Sequence, residues 1–222
     1  MKITIPSIAL AAIATPALAS FAITPSYEAY FYAGSGPRVN DRFIVNDAGG
    51  TPFEANGLIQ FDISSLTAPV PSAILTFEKY NNPFLNGSTD ESPVQIDLFV
   101  SSRDVSGVIS DDDGITDPNE YSSWLANDVS SDSVATAIIG DDGFYSFDLT
   151  AAVNAALTGG ASSIDFAIRG TQINFDDFHN PYFATSLDTG RLAPTLAATA
   201  VPAPGVATIA LVGGLAATRR RR

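Results

Sequence analysis

The run Ala73-Ile74-Leu75-Thr76-Phe77-Glu78-Lys79 decides the fold class. Positions 73, 75 and 77 are apolar, they alternate with Ile74, Thr76 and Glu78, and the alternation ends at Lys79. Successive side chains of a β-strand point to opposite faces, so this pattern makes one face for a core and one for water. The same grammar recurs outward along the chain, at 28–33, 42–46 and 58–63 before it and at 95–100, 145–149, 164–169, 182–186 and 195–199 after it. Each run is short and bounded by Gly, Pro, Asn or Asp. Together they predict an all-β sandwich of about nine short antiparallel strands, with many of the 14 Phe in its core.

Two segments read as short helices that connect strands. Thr150-Ala151-Ala152-Val153-Asn154-Ala155-Ala156-Leu157 begins on a residue of capping type and stops before Gly159-Gly160. Residues 118–126 follow Asp117 with Pro118 in the first helical position. Both are too short to stand alone. Phe61-Asp62-Ile63-Ser64-Ser65-Leu66 and Phe147-Asp148-Leu149-Thr150-Ala151-Ala152 share a strand end followed by carboxylate and hydroxyl groups able to cap a turn. Their flanks do not match, so this is local grammar rather than a repeat, and one domain over residues 20–200 is the economical reading.

Of 222 residues none is Cys, one is His and one is Trp, and 24 acidic against 11 basic side chains give a net charge of −13. That charge is unevenly placed. Lys2 and Arg219, Arg220, Arg221 and Arg222 stand in end segments without acids, so residues 20–200 carry 6 basic and all 24 acidic side chains, a net of about −18. A body so acidic repels phosphate backbones, which argues against a nucleic-acid partner. The lack of Cys removes disulfides, thiol nucleophiles and Cys-ligated zinc together. A 45% hydrophobic content with 14 Phe and 7 Tyr is that of a folded chain rather than a disordered acidic tail.

The ends read as addresses. Met1-Lys2, an apolar run over 3–14 and Pro16-Ala17-Leu18-Ala19 form the charged start, apolar core and small-x-small site of a secretory signal. Cleavage is expected after Ala19, with Ala17 and Ala19 as the recognised small residues and a signal peptidase as processing partner. A domain of about 180 residues can bury enough apolar surface to survive export without disulfide staples. At the other end, Val201-Pro202-Ala203-Pro204-Gly205 precedes a charge-free run over 206–218 and then four arginines. The run is shorter than the ~20 residues that span a bilayer comfortably, and its basic end would stay cytoplasmic while the body lies across the inner membrane. A flexible basic tail is the plainer reading of the same residues.

This tripartite end resembles the PEP-CTERM sorting signal of bacteria that export surface and matrix proteins, with Pro202 and Pro204 in the motif and Arg219, Arg220, Arg221 and Arg222 as the basic cluster; Ala203 stands where the name-giving motif has Glu. The resemblance implies recognition by an exosortase. The body is similar, in its turn, to DNRLRE-type domains: Asn40-Asp41-Arg42-Phe43-Ile44-Val45, the 58–66 and 70–77 segments, Phe147-Asp148-Leu149-Thr150, Ile164-Asp165-Phe166-Ala167-Ile168-Arg169 and Phe183-Ala184-Thr185-Ser186 carry it. That likeness implies a jelly-roll-like sandwich of secreted and cell-surface proteins, related to carbohydrate-binding modules that include alginate binders. The long insertion between Ser101 and Gly143 departs from the pattern. The expectation is an exported bacterial cell-surface or matrix protein, a non-catalytic structural or carbohydrate-associated module with an exopolysaccharide as candidate partner. A polysaccharide lyase or glycosidase, or a protein-binding adhesin, on the same sandwich is the alternative.

Candidate sites fall in that insertion. Asp111, Asp113, Asp117 and Glu120 surround Gly114 at the third, fifth, ninth and twelfth positions of an EF-hand register, but Ile109 at the first position cannot ligate. A looser calcium loop or a solvated acidic loop remains. Tyr121 and Trp124 can form a platform that stacks on sugar rings, or pin the insertion to the core. His179 has neither a Gly-x-Ser-x-Gly elbow nor a defined partner to make it a catalytic base, so no catalytic residue is assigned. A body at about −18 repels alginate-like polyanions unless calcium bridges them, which favours a neutral glycan. If the acidic loop holds calcium, millimolar calcium raises the melting temperature of the protein; an unchanged melting temperature removes the site.

Overall fold

A computed structural model of the chain describes residues 18–32, 37–40, 42–45, 55–67, 69–80, 93–104, 124, 127–173 and 181–200. Ser20–Ala200 forms one compact unit. It is an all-β sandwich of two antiparallel sheets. Sheet A contains β1 (Ala19–Ile23), β12 (Thr195–Ala200), β6 (Ser72–Tyr80), β11 (Tyr182–Ala184) and β4 (Arg42–Ile44) in that order, with β9 (Gly143–Asp148) also on β6. Sheet B runs β3 (Pro37–Arg38), β2 (Pro25–Tyr32), β5 (Ala55–Asp62), β10 (Ser163–Gln172), β7 (Val94–Ser101), β8 (Ala135–Ile139). All nine expected strands are present, extended or trimmed by a few residues; β1, β3 and β8 are additions to the sequence reading.

The central strand of sheet A is β6, with the alternating run 73–79. On β6, Ala73, Leu75, Phe77 and Lys79 are buried while Ile74, Thr76 and Glu78 are half-buried. Phe77 meets Phe147 of β9 and Phe183 of β11 edge-on, at centroid distances of 5.8 and 5.5 Å, the geometry the ring quadrupoles favour. Sheet B supplies the opposing face: Ile59 and Phe61 of β5, Ile164, Phe166 and Ile168 of β10, and Ile96 and Leu98 of β7. Gly170 continues that inward row of β10, and Val45 packs so close that a Cβ there would lie 3.1 Å from its Cγ1.

Two of the chain's passages between the sheets are short corners. Thr24 alone separates β1 of sheet A from β2 of sheet B, and residues 140–142 join β8 of sheet B to β9 of sheet A. At the second corner the Tyr145 hydroxyl donates to Asp141 O (2.8 Å) and accepts from Gly140 N–H (3.1 Å). Lys79 reaches the same turn and pairs with Asp142 at 2.9 Å, so this buried ammonium is not left without a counter-charge.

Turn chemistry follows the shared Phe-Asp pattern. Asp62 Oδ1 accepts the Ser64 N–H and Asp148 Oδ1 the Thr150 N–H, both at 2.9 Å. The Ser64 and Thr150 hydroxyls, and then these amides, lower the pKa of both carboxyls. The second turn opens α1 (Thr150–Thr158), one residue longer than expected. Thr150 does not cap it: its hydroxyl donates to Asp148 and accepts from Ala73 N–H, tying the helix start to β6. α1 ends in a Schellman motif, with Gly160 at φ 79° and bonds Gly160 N–H to Leu157 O and Ala161 N–H to Ala156 O. Of the helix expected over 118–126, only Trp124 lies within the described residues.

A polar seam ties β2 to the turn after β11. Glu28, inward on β2 beside Ile59, is 7% exposed, and its Oε2 accepts the Ser186 N–H at 2.7 Å while Oε1 has no hydrogen-bond partner. The Thr185 hydroxyl donates to Asn40 O, and Asn40 Nδ2 donates to the Tyr30 hydroxyl. Burial pushes the Glu28 carboxyl up, more than the Ser186 bonds lower it. A carboxyl raised in the folded state contributes stability that is full below its unfolded value and is lost as pH rises through its folded value. Wild-type stability should therefore fall relative to Glu28→Gln as pH is raised from about 4 to about 8; a difference independent of pH contradicts the assignment. Two phenylalanines test the packing in urea denaturation. Phe77→Ala, at 1% exposure, should cost about 3–5 kcal/mol, whereas Phe144→Ala, at 59% exposure, should stay within about 0.5 kcal/mol. Equal losses would contradict the sheet faces described.

Candidate functional site

The strand registers place one set of side chains on the outer face of sheet B. Ala29, Leu58, Ala167 and Phe99 form one row across β2, β5, β10 and β7. A second row, through Asn56, Arg169, Asp97 and Thr136, extends to β8, and a third pairs Thr171, Gln95 and Ile138. Asn56 joins the second row from β5, as Gly57 opposite Ile168 and Tyr30 fixes the alternation.

The first row is roofed. Phe31, Leu58, Ala167 and Trp124 form a second apolar cluster, separate from the core between the sheets, with Tyr27, Phe99 and Val129 packed on it. Trp124 is 1% exposed, and its indole N–H donates to Ser101 Oγ at 3.2 Å. Asp128 N–H returns to Trp124 O at 2.8 Å, one turn of helix, and Ser102 N–H to Asp128 O at 2.7 Å fastens that turn to the end of β7. Tyr27 lies at the edge of this roof with its hydroxyl buried and unpartnered, and burial pushes its pKa up to about 12. Beyond it, Gln60 donates to Asp165 (2.8 Å) and Asp104 (2.7 Å) and accepts from Ser26 (2.9 Å), satisfying a buried amide beside a buried carboxylate.

Over β10, β7 and β8 the other two rows are open, whereas Asn56 at the β5 end of the second is buried. Arg169, Thr171, Thr136 and Ile138 are exposed, and Asp97 and Gln95 half-buried. Asp97 accepts both from Gln95 Nε2, at 2.9 and 3.1 Å, and from the Thr136 hydroxyl at 2.5 Å. Arg169 lies directly across from Asp97 in the β10–β7 register, and its guanidinium stands 5.7 Å from the centroid of Phe99 at the margin of the roof. Fork-shaped donors, carboxylate acceptors and hydroxyls are thus set side by side on a rigid sheet, a surface able to bind a polar, uncharged molecule through many hydrogen bonds.

Three other cations of the body have neighbours of their own. Lys79 pairs with Asp142, Arg191 pairs with Asp188 at 3.1 Å and stacks 3.7 Å from the Tyr80 centroid, and Arg42 lies 5.3 Å from that of Tyr182. Tyr80 and Tyr182 meet edge-on at 6.0 Å, and burial raises the Tyr182 hydroxyl pKa against the influence of Arg42.

Trp124 takes the pinning role rather than the sugar-stacking one: its ring is covered, so as an exposed glycan platform it is corrected by its burial. Asp111, Asp113, Asp117, Glu120, Tyr121 and His179 lie outside the described residues, as do Ala17, Pro202, Pro204, Arg219, Arg220, Arg221 and Arg222. Ala19 is the first residue of β1, so the bond expected to be cut lies at that strand's start. Among the described residues no group of three or more His, Asp or Glu is placed to hold a metal ion, and no helix is long and apolar enough to cross a membrane. The open rows went unassigned in the sequence reading; the available signal was the polar side of two alternating strands, Gln95 and Asp97 on one and Arg169 and Thr171 on the other. No protein-family model and no curated protein matches the chain.

Proposed function

We propose that the protein is an exported bacterial cell-surface or matrix component, acting as a non-catalytic, carbohydrate-associated module. The observation that carries this reading is the open polar half of the outer face of sheet B, held rigid by a core that needs no disulfide. An exposed, hydrogen-bonding sheet face beside an aromatic margin suits an extended polyol better than a small reactive substrate, for which deep enclosure is the rule. The acidity of residues 20–200 supports a soluble body outside the cell and disfavours polyanionic ligands. The signal-like start and the Pro202-Ala203-Pro204, apolar run and tetra-arginine end support export by way of a signal peptidase and sorting by an exosortase, with a transient stay in the inner membrane. Calcium, if held by the acidic insertion, is a structural ligand in this reading.

Fractionation of cells expressing the full chain, followed by intact-mass analysis, tests the export step. The expected product is outside the cytoplasm and begins at Ser20. A cytoplasmic product that retains the segment from Lys2 to Ala19 would contradict the proposal.

A further inference from the structure

Arg169 has an unusual position. Asp97 faces it in register on the neighbouring strand, where opposite charges ordinarily pair across a sheet. Yet Asp97 accepts from Gln95 and Thr136, and among the described residues the Arg169 guanidinium forms no ion pair or hydrogen bond. Phe99, at the edge of the roof, lies against the planar fork instead.

The surroundings define what the fork can take. Arg169 and Asp97 offset each other's charge, and Gln95, Thr136 and Thr171 add none. The patch is therefore nearly neutral within an acidic body, and an anionic chain lying across it would meet repulsion from all sides. A neutral polyol meets donors from Arg169 and acceptors from Asp97, whose carboxylate has lone-pair capacity beyond the bonds it already accepts. From strand spacing and rise the open rows over β10, β7 and β8 measure roughly 10 Å by 7 Å, room for one or two sugar rings. Ile138, 63% exposed at the far end, offers an apolar contact for the C–H face of a ring.

We propose that this strip is a binding site for a neutral polysaccharide, with Arg169 donating to and Asp97 accepting from hydroxyls of the same sugar unit, and Thr171 and Thr136 flanking it. The site rests on the carbohydrate-associated reading above and gives it a place and a ligand class.

Affinity electrophoresis of the full chain in gels containing a β-glucan, a galactomannan, a starch or an alginate tests it, with Arg169→Ala and Arg169→Lys run beside the wild type and their urea midpoints measured. Arg169 is exposed and forms no hydrogen bond or ion pair among the described residues, so both variants should unfold with the wild type. The expected result is retardation by at least one neutral polymer, weakened about tenfold or more by Arg169→Ala, the loss typical of a hydrogen bond from a charged group, and only partly restored by lysine, which lacks the fork. Equal retardation of wild type and Arg169→Ala overturns the site and leaves the carbohydrate reading standing. Preference for alginate overturns the ligand class. Retardation by none of the four polymers overturns both the site and the carbohydrate reading.

Discussion

Without a cysteine, the sandwich depends on one contact, the packing of the inward face of β6 and its neighbours against the inward face of β10 and its neighbours. Phe77 stands in the middle of one face, flanked by Phe147 and Phe183, and Phe166 in the middle of the other. Alternation in both sheets is committed to this contact, and a slip of one residue in either would turn the aromatic rows to solvent. The polar groups admitted to the interior are few and placed at its margins. Lys79 is answered by Asp142 at one corner, and Glu28 accepts the Ser186 amide at the opposite seam. Glu28 is the weaker arrangement, since one of its oxygens is buried without a partner.

Because the inward faces are fully used, whatever the molecule recognises is read from its outside. The outer face of sheet B is divided by residue size along its rows. Small and apolar side chains on β2, β5 and β10 leave room for Trp124 to settle, and its N–H finds Ser101 at the end of β7. Where the rows turn polar, at Arg169 and Asp97, the roof ends. Phe99 belongs to both halves, packing under the tryptophan and beneath the arginine. Trp124 is therefore fixed to the sheet at the edge of the candidate binding strip, so changes in its packing would be felt at Arg169.

Most of the sandwich was legible because its strands alternate strongly. The exceptions have physical reasons. β8 reads Ala135-Thr136-Ala137-Ile138-Ile139, and its inward alanines give little hydrophobic contrast; β3 is only two residues long, and β1 begins within the segment read as the end of a signal. The capping pattern at Phe147-Asp148-Leu149-Thr150 was visible, but Asp148 rather than Thr150 supplies the acceptor at the turn. The candidate site was harder to see. Polar positions 95, 97, 169 and 171 mark two wet faces, yet only the register of β10 on β7 sets Arg169 across from Asp97, and only the competing bonds from Thr136 and Gln95 leave the arginine to Phe99. Such a juxtaposition depends on pairing between distant segments, which alternation alone does not specify.

The roof over the outer face of sheet B can be followed through the chain's one tryptophan without any labelling. Steady-state emission and acrylamide quenching of the native protein report on Trp124 alone. The account predicts blue-shifted emission with little quenching until the protein unfolds, in keeping with its 1% exposure and its bond to Ser101. Emission at the wavelength of the unfolded chain, with quenching as full as in denaturant, would contradict it.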